Sequence, residues 1–273
     1  MKADEAWGWS ERGAARVWAA APVRETLLDA FESGALDPAA DAPPAGRGSV
    51  ARLTLAGTPV VARRYRRGGF FGRIFGGLGL DAARAVREVG LTRRAFDAGL
   101  SVPEPVAVIV RRNGGALDLR LVTKEIPAAE SSEAPLGRAA GEERGRMLAA
   151  IAVALRKAHD SGLVHTDLNL GNVLVGPPPD RRISLVDLDR ARWREGGASE
   201  NERFDGLARL ARSGEKVLRL PAEETLLALI AVYASDSAPL RQTLTGRLPG
   251  WRRRMTLHRL GWALSGARTR TVS

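Results

Sequence analysis

The stretch "LVHTDLNLGNVLV", residues 163 to 175, is followed by "GPPPDRR" and then by "ISLVDLD", residues 183 to 189. Leu163-Val164, Val173 to Val175 and Ile183 to Val186 all have strand composition. A short Pro-rich turn between apolar runs predicts an antiparallel hairpin, because no helical crossover fits into it. The return strand brings Asp187 back beside Asn172. His165, Asp167, Asn169 and Asn172 then hang at one edge of a buried strand pair. Such an edge is either a hydrogen-bonded turn or a site, and the residue types decide which.

Asn172 and Asp187 offer oxygens that suit a hard cation such as Mg²⁺. Asp167 is left to accept a proton from an attacking hydroxyl, or to orient it. His165 reads as a brace for the loop, and Asn169 as a turn cap or a substrate contact. An isolated D-x-x-x-x-N carries little information. Here it follows a Gly-containing strand pair, a basic strand and a helix bearing an acid, and it precedes a hairpin ending in Asp. In that order the residues are the parts of a phosphoryl-transfer site.

Val50 to Leu55 and Pro59 to Tyr65 read as strands turning at Ala56-Gly57-Thr58, with Gly46 and Gly48 just ahead. Residues 81 to 98 have helical composition. "SVPEPVAVIV" and "LDLRLVTKEI" read as two more strands joined around Asn113-Gly114-Gly115. A polar Ala/Glu stretch over 127 to 143 leads into a helix from about 142 to 160, and 200 to 270 reads as helical. The first 45 residues look mixed, with helical pieces over 11 to 33. A strand-rich first half and a helical second half predict an α+β fold with two unequal lobes.

Composition narrows the rest. The 273 residues suffice for two lobes, and 44% hydrophobic with 27% charged content is that of a folded soluble protein. Cysteine is absent and there are three histidines, which argues against disulfides and His- or Cys-rich metal centres. The charged N-terminus does not read as a secretion signal, and "TLLALIAVYA" is too short to span a membrane. The net charge of +11 points to an anionic partner. No nucleic-acid-binding motif is present, so nucleic acid is not the expected one. "RRYRRGGFFGRIF" mixes arginines with aromatics, as a patch touching anionic lipid headgroups does. "WRRRMTLHRLGWAL", with Trp251, Met255 and Trp262, invites the same reading without a clean apolar stripe.

"GRGSV", "ARRYRRGGFFGRIF", "HTDLNLGNVLV" and "LVDLDRAR" together resemble the protein-kinase-like superfamily. Within it they are most similar to the lipopolysaccharide kinase family of Gram-negative bacteria, the Kdo and heptose kinases of the inner core, and above all to its Kdo-kinase branch. The likeness spans roughly residues 46 to 212. It implies a two-lobed protein-kinase-like fold with a small β-rich N-lobe and a larger helical C-lobe. Residues 1–45 would be an N-terminal extension, 46–126 the nucleotide-binding N-lobe and 127–273 the catalytic C-lobe.

The resemblance implies that Asp167 is catalytic and that Asn172 and Asp187 bind metal. It places Gly46 and Gly48 in the phosphate-covering loop, and Glu88 as the acid paired with a strand cation. Glu125, in "VTKEI", falls at the lobe junction that meets adenine. Asp189 stands where the usual motif has Gly, as a supporting acid or a turn cap. The strand Lys is replaced by Arg63 or Arg64. Spacing against Val-Ala-x-Lys favours Arg64, whereas the likeness to Kdo kinases favours Arg63. Only one can serve, since adjacent strand residues face opposite sides.

The activity implied is ATP- and Mg²⁺-dependent phosphorylation of Kdo (3-deoxy-D-manno-octulosonic acid) or heptose on a lipopolysaccharide-core glycolipid. The enzyme would be cytoplasmic, held peripherally at the anionic inner face of the cytoplasmic membrane. The alternatives are a small-molecule kinase of the aminoglycoside phosphotransferase type and a catalytically silent kinase-like binding module.

Overall fold

The computed structural model describes residues 7–36, 50–65, 82–113 and 116–256. The N-lobe is one antiparallel sheet of β1 (Trp7–Arg12), β2 (Ala15–Ala20), β3 (Val50–Leu55), β4 (Thr58–Arg64), β5 (Pro105–Asn113) and β6 (Ala116–Lys124). Their spatial order is β1-β2-β5-β6-β4-β3. Helix α1 (Arg24–Glu32) covers one face and α2 (Ala82–Asp97) the other. Strand periodicity explains the two layers. On β5, Ala107 and Ile109 pack with Val17, Leu27 and Phe31 on the α1 side, while Val108 and Val110 pack with Tyr65, Ala85 and Val89 on the α2 side.

Two features differ from the sequence reading. The start of the supposed helical region is a strand hairpin, and its α-helix is confined to Arg24–Glu32, after a 3-10 turn at Ala21–Val23. Strand β2 pairs with β5 from Ala15↔Arg111 to Ala19↔Ala107, so residues ahead of 46 share the sheet and core of the N-lobe. Alanine favours helix locally, but "ARVWAA" gains more by burying Val17 and Ala19 against a long-range partner. The β3–β4 turn consists of Ala56 and Gly57, with φ of 46° and 79°. Two consecutive positive φ values match the right-handed twist of a tight hairpin, which is why Gly stands at 57.

The C-lobe contains α3 (Glu133–Arg138), α4 (Gly141–Ser161), α5 (Glu200–Leu218), α6 (Ala222–Tyr233) and α7 (Ala238–Gly246). Short strands β7 (Glu130–Ser131), β8 (Leu163–Val164), β9 (Val173–Val175), β10 (Ile183–Leu185) and β11 (Arg192–Trp193) carry the loops. β7 and α3 occupy the polar stretch that sequence alone left without elements. Met147, Ile151, Leu155 and Ala158 recur at helical spacing and form the buried face of α4. Gly162, with φ 102°, ends that helix; a Cβ there would lie 2.1 Å from the Arg194 carbonyl oxygen. Only glycine lets β8 leave α4 so close to β11. Helix α5 begins with a capping box between Ser199 and Glu202.

"TLLALIAVYA" is the buried helix α6, with Leu226, Leu229, Ile230 and Tyr233 inward. Among the described residues no helix is long and apolar enough to cross a membrane. Trp251 is buried in the C-lobe core and Met255 packs against it, so this part of "WRRRMTLHRLGWAL" serves packing. Trp262 lies outside the described residues, as does 66–81 with its Arg/Phe run.

Candidate active site

β8 delivers the chain to His165, and β9 with β10 fixes the far side of the loop. The register Val173↔Leu185 and Val175↔Ile183 is the predicted hairpin. The Val186 N–H donates to the Asn172 carbonyl at 3.0 Å, which places Asp187 beside Asn172. His165 braces the same junction. Its Nε2–H donates to the Val186 carbonyl at 3.0 Å, and Nδ1 has no hydrogen-bond partner among the described residues. Burial holds the His165 pKa below its usual value, so the ring is a neutral donor at physiological pH.

Asn169 and Asn172 each donate from Nδ2 to the backbone carbonyl of Asp167, both at 2.9 Å. Asn169 Oδ1 accepts the Gly171 N–H at 2.9 Å, so Asn169 is a turn cap. With Nδ2 committed, Asn172 presents Oδ1 on its other side. The Asp167 carboxylate takes no hydrogen bond from a described residue, and the residue is half-buried. Asp187 is left-handed at φ 62° and ψ 58°. That conformation is unfavourable for a residue with a Cβ by about 1 kcal/mol and turns the side chain toward the N-lobe.

Arg63 and Arg64 diverge as strand geometry requires. Arg63 Nη2 pairs with Glu88 Oε1 of α2 at 2.7 Å, and Nη1 pairs with Asp187 Oδ1 at 2.9 Å. Arg64 turns to the opposite face and pairs with Asp118 at 3.0 Å. Arg63 is therefore the strand cation at the site, and Arg64 is not brought to it. Burial opposes the charge of Arg63, but Glu88 and Asp187 outweigh it and raise its pKa. Burial pushes the Glu88 carboxyl up, against the pull of Arg63 and of Tyr65.

Tyr65 was not picked out from sequence. It lies two residues beyond Arg63, hence on the same strand face, and its hydroxyl donates to Glu88 Oε2. Arg84 was missed as well. It pairs through both Nε and Nη2 with Asp189, one turn of α2 before Glu88. Asp189 is thus a supporting acid and not a turn cap; its pKa is lowered because Arg84 overcomes the cost of burial. No spacing rule links residues so far apart in the chain.

At the lobe junction, the Glu125 carboxylate pairs with Arg52 at 2.8 Å. The Glu125 N–H donates to the Pro59 carbonyl at 3.0 Å, and the Lys124 N–H to the Glu104 carbonyl at 2.8 Å. These two amides are internally satisfied. Gly46 and Gly48 lie outside the described residues.

The oxygens present fit Mg²⁺. Among the described residues no three His, Cys, Asp or Glu side chains converge as for an all-protein metal cage. Mg²⁺ needs no such cage, since it takes one or two protein oxygens together with phosphate oxygens and water. Asn172 Oδ1 and a carboxylate whose side chain is 38% exposed, Asp187, are of that kind.

The profile described as "Lipopolysaccharide kinase (Kdo/WaaP) family" matches residues 43–233. A 3-deoxy-D-manno-octulosonic acid kinase of Vibrio cholerae serotype O1 is 30% identical over 186 residues, 63% of this chain and 72% of its own. The enzyme of the same name from Photobacterium profundum is 33% identical over 174 residues, 62% of this chain and 70% of its own. A solved structure titled "WaaP in complex with acyl carrier protein" superposes with a TM-score of 0.57 at 20% identity, covering 88% of this chain and 97% of that one. That likeness establishes the kinase-like fold of two lobes. The chain belongs to the lipopolysaccharide kinase (Kdo/WaaP) family and is a phosphotransferase acting on a sugar hydroxyl.

Proposed function

We propose that this protein transfers the γ-phosphoryl group of ATP, with Mg²⁺, to a hydroxyl of Kdo in the lipopolysaccharide inner core. The observation that carries this is the double pairing of Arg63. One N-lobe cation, braced by Glu88, reaches Asp187 in the C-lobe. That is the geometry needed to hold a polyphosphate against the loop bearing Asp167. It also argues against a silent module, since the missing Lys is replaced by a cation in the working position. Kdo is favoured over heptose because both relatives named above are Kdo kinases.

Asn172 Oδ1 and Asp187 would hold Mg²⁺, which supplies neutralisation of the charge building on the phosphate oxygens. Arg63 adds a fixed positive charge there, and Glu88 with Tyr65 keeps its guanidinium from swinging away. Gly46 and Gly48 would cover the phosphates, and the Glu125 carbonyl would meet the adenine amino group. Asp167 accepts the proton of the acceptor hydroxyl as the new O–P bond forms and the bond to the β–γ bridging oxygen breaks, releasing ADP. His165 and the two Asn side chains hold Asp167 in place through backbone bonds. The net charge of +11 and the Arg/Phe run at 66–75 support peripheral contact with the anionic inner face of the membrane.

The test is transfer of label from γ-³²P ATP to lipid A precursors with and without Kdo. Transfer is expected to the Kdo-bearing acceptor alone and only with Mg²⁺. Equal labelling of the Kdo-free precursor overturns the assignment.

A further inference from the structure

Several arginines of this protein are neutralised locally. Arg12 meets Glu25 and Asp29, Arg138 meets Glu130, and Arg192 and Arg194 share Glu202. Around Asp167 lie four cations that are not. Arg190, Arg209, Arg212 and Lys216 are exposed, and none has an ion-pair partner among the described residues.

Two independent anchors bring these four to the same place. On α5, Ser213 Oγ accepts the N–H of Leu170 at 3.1 Å, which docks the helix onto the catalytic loop. Arg209, Arg212 and Lys216 stand four before, one before and three after Ser213. The first and last share its face, and Arg212 flanks it. The inward face is apolar, with Phe204, Leu207, Ala208 and Ala211 buried, so the basic row is on the outside. Arg209 is near enough to disfavour protonation of His165. On the other side, the Thr166 hydroxyl donates to the Arg190 carbonyl at 2.5 Å, which puts Arg190 against the residue before Asp167. The acids on this stretch of helix are Asp205, exposed one turn before Arg209, and Glu215, half-buried between Arg212 and Lys216.

From Arg209 to Lys216 the helix rises roughly 10 Å. A row of that length beside the proton acceptor suits an acceptor carrying several separated oxyanions, and is longer than one phosphate requires. Guanidinium groups clasp carboxylate and phosphate bidentately, and their charge is not lost at any physiological pH.

We propose that Arg190, Arg209, Arg212 and Lys216 form the acceptor-docking surface, which binds oxyanions of the glycolipid and so presents its hydroxyl to Asp167. This rests on the Kdo-phosphorylating reading above for what the acceptor is. The oxyanions are either the sugar-acid carboxylate or phosphates on the lipid-linked saccharide, and the assay separates them.

The experiment measures equilibrium binding of protein to detergent micelles of a Kdo-bearing, phosphorylated lipid A precursor. Parallel micelles carry the dephosphorylated precursor or the Kdo methyl ester, and vesicles of anionic phospholipid alone are a further arm. The parent is compared with the triple variant Arg209→Gln, Arg212→Gln, Lys216→Gln and with Arg190→Gln. Circular dichroism and Mg-ATP titration check that each variant folds and retains the nucleotide site. The triple variant is expected to bind the full acceptor at least about tenfold more weakly, the loss of one or more charged hydrogen bonds. In turnover its acceptor KM rises by the same factor. If phosphates are the ligand, the variant deficit vanishes on the dephosphorylated precursor; if the carboxylate, on the methyl ester. Parent-like binding by the triple variant overturns the inference, as does failure of the parent to bind any of these acceptors. An equal loss on plain phospholipid vesicles also overturns it, by making the face a membrane contact. Binding without phosphoryl transfer in the parent refutes the proposed reaction while leaving the docking surface in place.

Discussion

Arg84 grips Asp189 with Nε at 2.5 Å and with Nη2, tying the first turn of α2 to the turn that follows Asp187. Glu88 lies four residues on, one helical turn away, and pairs with Arg63, which also reaches Asp187. Helix α2 is therefore joined to the turn bearing Asp187 twice, once directly and once through the strand cation. The two acids of "DLD" have divided partners: Asp187 meets the strand cation Arg63, and Asp189 holds the helix through Arg84.

This division predicts an order of effects. Asp187→Asn should weaken Mg²⁺-dependent ATP binding by about tenfold or more, since it removes the charge of the proposed metal ligand. Asp189→Asn should weaken it less than about threefold, because it alters a partly exposed ion pair away from the nucleotide. Calorimetric titration of Mg-ATP into each variant decides; the reverse order would mean that the roles are exchanged.

Asp167→Asn should lower phosphoryl transfer by on the order of 10² to 10⁴. The fold should stay intact, because the contacts of Asp167 that hold the loop are made by its backbone carbonyl. Thermal unfolding that matches the parent, together with near-complete loss of label transfer, is the expected pair of results. Turnover close to the parent's removes Asp167 from the chemistry.

Arg63→Gln should raise the KM for ATP, whereas Arg64→Gln should not, because Arg64 pairs with Asp118 on the far face. Arg63→Gln should also destabilise the N-lobe by on the order of 3 kcal/mol, since it leaves the buried Glu88 carboxylate without its cation. That deficit depends on pH. Burial already raises the Glu88 pKa, and losing Arg63 raises it further. In the variant the folded state binds the proton more tightly than the unfolded chain, so its stability falls as pH rises toward the folded pKa. Denaturant titrations at pH 5 and pH 8 should show the gap to the parent widening at the higher pH; a constant gap would mean that Glu88 is not the group responsible.

His159 gives an acid-sensitivity of opposite sign. It is buried beneath α5, and Tyr233 donates to its Nδ1 at 2.8 Å while Arg203 donates to the Tyr233 oxygen at 2.9 Å. Burial, assisted by Arg203, lowers its pKa to about 3. The unfolded chain takes up a proton near the ordinary histidine pKa and the folded state does not. Stability is thus fully present above about pH 6.5 and declines by roughly 1.4 kcal/mol per pH unit below it. His159→Gln should flatten this slope between pH 6 and pH 4 in urea-unfolding midpoints, and an unchanged slope would assign the acid-sensitivity elsewhere.

The loop proposed to be catalytic was legible because its information is local. Asp167, Asn172 and Asp187 lie within one hairpin, whose strands and turn are written in adjacent residues, so spacing alone brings the three together. The period of two along β4 likewise showed that only one of Arg63 and Arg64 can enter the site. Which one could not be read there: it depends on which sheet face α2 covers, and that is settled by long-range burial of Ala85 and Val89 against Val108 and Val110. The same limit explains the N-terminal hairpin. "ARVWAA" has helical alanines, and its strand conformation exists only because β5 offers an edge to pair with. Arg84 and Asp189 are separated by a lobe boundary, and Arg190 and Arg209 by a strand and a loop. Chemistry carried by neighbours in the chain was determined by the sequence. Pairings that meet across the core were decided by the tertiary structure, because a side chain's partner is set by the face it leaves from and the element that packs there.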